Sequence, residues 1–146
     1  MLNKSRIDIY DYLYNIFYDV VTKNVYSMRE PQELTKSDTT NGFIVIRVGE
    51  LNDESEFNGH AYAWARCYVQ AYIPPISRGR LDFEKYKEFE DGINAIIDIA
   101  VQDNQGEYNI EEGSVISSDV DETTNADNSY FTFIKSFIVN ISQQTL

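Results

Sequence analysis

The chain has 146 residues, 42% of them hydrophobic, and a formal net charge of −12 from 24 acidic and 12 basic side chains. Such a length and apolar content fit one globular domain, residues 1–146, with a core that needs no staples, and they exclude a disordered chain. The charge excludes a protein that grips duplex DNA by counterion release, which needs Lys and Arg against the phosphates.

Two uses of strong negative charge remain: solubility alone, or a surface that repels nucleic acid while standing close to it. No apolar run approaches eighteen residues, so no membrane span is expected. Met1-Leu2-Asn3-Lys4-Ser5-Arg6 leads into a segment with regular acids, which does not read as a secretory signal. The single cysteine, Cys67, rules out an internal disulfide framework and a cysteine metal site.

Residues 5–23 read as a helix capped by Ser5 or Asn3, with Asp8 and Asp11 near its positive end. At 100° per residue, Ile7, Ile9, Tyr10, Leu13, Tyr14, Ile16, Phe17, Tyr18, Val20 and Val21 fill an arc of roughly 200°. A surface helix buries a stripe only somewhat wider than ~100°. This helix is therefore expected to touch its own sheet and something else, with Tyr10 and Tyr14 as candidate contacts. Residues 24–41 are polar and read as a loop. Phe43 to Val48 reads as a strand within 42–50, followed by an acidic turn from Leu51 that ends in Asn58-Gly59.

From His60 to Ile73 the chain alternates without a break, the mark of a two-faced strand about 46 Å long. One face is small and apolar: Ala61, Ala63, Ala65, Cys67, Val69, Ala71 and Ile73. A helix is expected against it, with Cys67 a buried inert thiol. The other face is His60, Tyr62, Trp64, Arg66, Tyr68, Gln70 and Tyr72. A solvated face carries Lys, Glu and Thr instead. The aromatic row Tyr62, Trp64, Tyr68 and Tyr72 therefore either meets another protein or forms a second layer of the chain's own core.

Pro74-Pro75 stops the strand, and Asp82 caps a second helix over 82–102 with one ordinary apolar stripe. Between them Arg78 and Arg80 stand alone, either on a solvated turn or placed to pair with a neighbour's carboxylates. Residues 102–113 read as a loop, 114–118 as a short strand and 118–128 as an acidic loop. Residues 129–141 read as a long strand with Phe131, Phe133, Phe137, Val139 and Ile141 on one face. The expected fold is α+β: a single antiparallel sheet with two helices on one side, in the order α-β-β-α-β-β.

Motifs for catalysis are missing. There is no G-x-S-x-G, P-loop or G-x-G-x-x-G pattern. The lone histidine, His60, points away from Cys67 by the alternation, so the two make no catalytic pair. Asp119 to Asn128 spaces carboxylates as a calcium loop does, but position six is Thr124 and position twelve is Tyr130. A solvated acidic loop is the better reading, and neither metal nor cofactor is expected.

The derived order resembles the tail-terminator and head-to-tail joining proteins of tailed bacteriophages. The resemblance spans nearly the whole chain. It rests on element order, on the strand exit Tyr72-Ile73-Pro74-Pro75 running through Arg80-Leu81-Asp82 into a helix, and on the closing strand Tyr130-Phe131-Thr132-Phe133. It implies a non-enzymatic virion protein, assembled in a bacterial cytoplasm as a homo-oligomeric ring against other neck, portal or tail proteins. DNA then passes nearby without being held. Tyr62, Trp64, Tyr68, Tyr72, Tyr10, Tyr14, Arg78 and Arg80 are the candidate subunit contacts. Asp119, Asp121, Glu122 and Asp127 are the candidates for the channel or a seam. Against this stand a small acidic binding protein, such as a nucleic-acid mimic, an enzyme domain with scattered carboxylates, and an unrelated α+β interaction domain.

Overall fold

The computed structural model describes residues 2, 4–54, 59–77, 79–103, 106–125 and 128–144. The elements in chain order are α1 (Arg6–Phe17), β1 (Val25–Ser27), α2 (Lys36–Asn41), β2 (Phe43–Val48), β3 (Asn52–Asp53) and β4 (His60–Ile73). They continue with α3 (Phe83–Gln102), β5 (Tyr108–Ile110), β6 (Ile116–Ser117), β7 (Asp121–Asn125) and β8 (Asn128–Gln144). Among the described residues, eight strands form one sheet in the order β1-β2-β4-β8-β5, with β3 on β4 and with β6 and β7 on β8.

The fold is α+β, but the sheet is mixed, because β1 runs parallel to β2. The expected order and the purely antiparallel sheet are both corrected by this. Residues 24–41 hold a strand and a helix where the sequence reads as loop. Three residues of strand and six of helix are too short for a period to show. The polar helix α2 does carry a local signal. Thr35 Oγ1 accepts from the Asp38 N–H at 3.1 Å, and the Thr35 N–H donates to the Asp38 carboxylate at 2.9 Å, a reciprocal cap.

The first helix is also shorter than its apolar pattern. It stops at Phe17, Asp19 turns left-handed at φ 60°, and the buried Thr22 returns its carbonyl to the Asp19 N–H at 3.0 Å. Val20, Val21 and Thr22 are β-branched and poor helix formers. Val21 instead lies against α3 at Gly92, where a Cβ would overlap its Cγ1.

All seven small or apolar residues of β4, from Ala61 to Ile73, are buried. Helices α1 and α3 cover that face through Ile9, Leu13, Phe17, Phe89, Ile93 and Ile97. The thin side chains of β4 are complemented on β8. Ala65 faces Val139, Cys67 faces Phe137 and Ala71 faces Phe133. Lys135 shares this face and is almost wholly buried. Its Nζ lies 3.3 Å from the Glu90 carboxylate of α3 and donates to Ser117 Oγ at 2.8 Å, so the buried charge is paired. Packing this close leaves no room at Ala65. Ala65→Leu is expected to cost about 1–3 kcal/mol by overpacking. An unchanged chemical-denaturation midpoint for that variant would show that the helices give way.

Both sheet edges are broken. At one, β1 is three residues long. At the other, β5, β6 and β7 follow one another along β8 as a single interrupted strand. Between β5 and β6 the outer chain bulges: Ile110 faces Val139 and Ile116 faces Ser136, so six residues on one side span three on the other. Short, kinked edges of this kind resist extension of the sheet by another strand.

Candidate functional site

The second face of the sheet divides into a covered half and an open half. At the Tyr72 end, the chain between β1 and β2 folds over it. Phe43 stacks on Tyr72 with ring centroids 4.3 Å apart, and Tyr130 meets both rings edge-on. Tyr26 donates its hydroxyl to the fully buried Asp38 carboxylate, 2.8 Å from each oxygen. Burial first, then that carboxylate, pushes the Tyr26 hydroxyl up to about 12. Helix α2 thus lies across the sheet from α1 and α3, so the helices are not all on one side.

Tyr72 donates a hydrogen bond to Glu30, which also pairs with Arg47 at 3.2 Å. The Tyr72 hydroxyl, then Arg47, hold the Glu30 carboxyl below the usual carboxylate range against the opposing effect of burial. A depressed carboxyl stabilises the fold above its unfolded pKa, and that contribution is lost as pH falls through the folded value. Acidification below about pH 4 is expected to lower the melting temperature of wild type more than that of Glu30→Gln. Equal acid sensitivity in a paired pH series would remove Glu30 from this role.

The other half of the face is open. Tyr62, Trp64 and Arg66 are half-buried, and Tyr68 is exposed. Ile134 and Ile138 of β8 stand beside them, opposite Gln70 and Arg66. Arg47 is occupied by Glu30 and by Gln70 Oε1 at 2.8 Å. For Arg66 the described partner is a hydroxyl, Ser136 Oγ at 3.2 Å. A guanidinium set among aromatic rings, with no carboxylate partner among the described residues, is unusual in a chain with twice as many acids as bases. The alternation already places Arg66 on this face; a search for aromatic rings alone passes over it.

The sequence-derived contact residues therefore separate. Tyr62, Trp64 and Tyr68 share the open patch. Tyr72 belongs to the chain's own second apolar cluster, with Phe43, Val45 and Tyr130. Tyr10 is buried in the main core, and its hydroxyl accepts the Val48 N–H at 3.0 Å, tying α1 to the end of β2. Neither ring is available to a neighbour. They read as surface because a face's periodicity does not say how far along the element a cover extends. Tyr14 is exposed and stacks on Tyr18 at 5.4 Å, on a different part of the molecule. Arg80 is exposed on a turn in which its N–H donates to the Ser77 carbonyl at 2.9 Å. Arg78 and Asp127 lie outside the described residues.

Asp119 is exposed before β7. Asp121 and Glu122 are exposed within β7, paired to Thr132 and Phe131, rather than in a loop. The strand sends these two carboxylates to opposite faces, which is the wrong geometry for wrapping one cation. The polar run offered no apolar alternation, so only the pairing with β8 makes it a strand.

His60 finds a serine that sequence spacing could not show. Ser142, across the ladder on β8, places its Oγ 3.5 Å from His60 Nδ1. That separation is too long for a base already sharing a serine's proton. Cys67 is fully buried on the helix side, and burial pushes its thiol up to about 12, so it stays protonated and unreactive. No protein-family model matches the sequence, and no curated protein matches it either.

Proposed function

We propose that this chain is a structural subunit of a ring in the neck or at the tail end of a tailed bacteriophage particle, through which DNA passes. The observation that carries the reading is the open half of the second sheet face. On the sheet face opposite α1 and α3, Tyr62, Trp64, Ile134 and Ile138 are half-buried and Tyr68 is exposed, so five large side chains share one patch. Both sheet edges are too broken to recruit a neighbour by strand addition, so a face is the surface left for assembly.

The charge supports the same role. A channel wall that carries carboxylates repels a passing duplex, whereas Lys and Arg would bind its phosphates and stall it. Asp119, Asp121 and Glu122 are each exposed at the β7 end of the sheet, with Asp121 and Glu122 on opposite faces, so one face of this end would line the channel and the other a seam between copies. A ring built from identical chains also needs two different patches per subunit, meeting head to tail.

The purified chain is expected to form closed particles of defined symmetry, seen by negative-stain microscopy and by mass in solution. Within virions, copies of the chain are expected to cross-link to one another. A compact monomer that makes no self-contact in either setting overturns the ring reading. Tight capture of a DNA-binding protein by such a monomer would instead favour the acidic-mimic reading, for which the row of acids on α3 is the supporting feature.

A further inference from the structure

We propose that the open aromatic face of one copy docks on the outer surface of α3 of the next copy, with Arg66 received by the acids of that helix. This rests on the ring reading above and names its seam.

The two surfaces lie on opposite sides of the subunit. Helix α3 covers the small-residue face of the sheet, so its outward side points away from the aromatic face. Glu84, Glu88, Asp91 and Asp98, with Ala95 between the last two, recur at helical spacing and are all exposed. They form one straight acidic row. The exposed Lys87 borders it beside Glu84 and Asp91, and Phe83 and Ile99 flank it, 74% and 66% exposed, values that leave most of each apolar side chain in water. The row therefore has what the aromatic face lacks, a run of carboxylates. The aromatic face has what the row lacks, an arginine that no described carboxylate pairs.

Charge also selects against the simplest alternative. Pairing two aromatic faces about a two-fold axis would bring Arg66 of each copy toward the other copy's arginines. Arg47 has its carboxylate, but the described strands place none beside Arg66. Like charges brought together in a desolvated seam are costly. Sheet face against helix face avoids that cost. Because the two patches differ, the contact repeats head to tail and closes into a ring when the rotation permits.

Single cysteines test the geometry. Tyr68→Cys places a thiol on the aromatic face and Ala95→Cys places one in the acidic row, both at exposed positions. The native Cys67 is buried and stays silent. Copies of the two full-length variants, distinguished by a size tag, are mixed at high concentration and mildly oxidised. The expected result is a heterodimeric cross-link in the mixture and little in either variant alone. Arg66→Glu should weaken it by about tenfold or more, and Glu88→Arg with Asp91→Arg in the other copy should restore it.

Cross-linking of Tyr68→Cys to itself would overturn the proposed seam while leaving self-assembly intact. So would an oligomer by sedimentation that cross-links in no combination. A chain that sediments as a monomer at millimolar concentration would overturn both the seam and the ring reading. Far-ultraviolet circular dichroism on each variant separates a lost contact from a lost fold.

Discussion

Phe137→Ala is expected to destabilise the folded chain by about 3–5 kcal/mol. Phe137 is fully buried on β8, opposite Cys67 on β4 and near the end of α1, where its ring centroid lies 6.4 Å from that of Phe17. The β4 residues beside it are thin. Ala65 and Cys67 cannot reach into the space a missing phenyl leaves, so the cavity persists instead of collapsing. A small domain is stable by only about 5–15 kcal/mol, so a loss of this size is a large share of the total. Urea unfolding should show a lower midpoint with the slope unchanged. A shift equivalent to less than about 1 kcal/mol would mean that α1 settles onto the sheet after truncation.

Gly42→Ala is expected to cost roughly 2–5 kcal/mol, from two causes that act together. Gly42 ends α2 at φ 83°, ψ −178°, a conformation essentially confined to glycine. Its surroundings are also full. A Cβ there would overlap the Tyr72 carbonyl oxygen and lie 3.1 Å from Pro74 Cδ and 3.2 Å from Phe89 Cζ. Gly79 is the control, because it has φ 75° but no heavy atom within 4 Å of a built Cβ. Gly79→Ala should therefore show the backbone cost alone, about 1–3 kcal/mol, and the difference between the variants measures the crowding. Equal losses at the two sites would show that the β2–β4 end of the sheet moves aside. Because Gly42 lies beside Tyr72, the same substitution tests how firmly α2 holds the covered half of the aromatic face.

In β4 and α3 the side-chain period was long and unbroken, and there the sequence by itself determined the outcome. β4 spans His60–Ile73, the full alternating run, and α3 starts on Asp82, whose side chain accepts from the Lys85 N–H at 3.1 Å. The small face of β4 is buried under helices, as its composition requires. Long elements repeat the same choice many times, so local preference and burial agree. The fate of Cys67 follows from the same alternation.

Only the tertiary structure decided what covers what. β1, α2, β5 and β7 are short, α2 and β7 are polar as well, and each exists because a neighbour supplies its partners: β2 for β1, β8 for β5 and β7, and Tyr26 for the buried carboxylate of α2. The division of the aromatic face is of the same kind. Tyr62, Trp64, Tyr68 and Tyr72 have one periodicity, and nothing within β4 separates the last from the others. What separates them is the segment that returns from β1 through Glu30 and α2, which seals Tyr72 and stops short of Tyr68. Burial depends on which distant chain reaches a surface, and that reach is set by topology rather than by the residues on the surface itself.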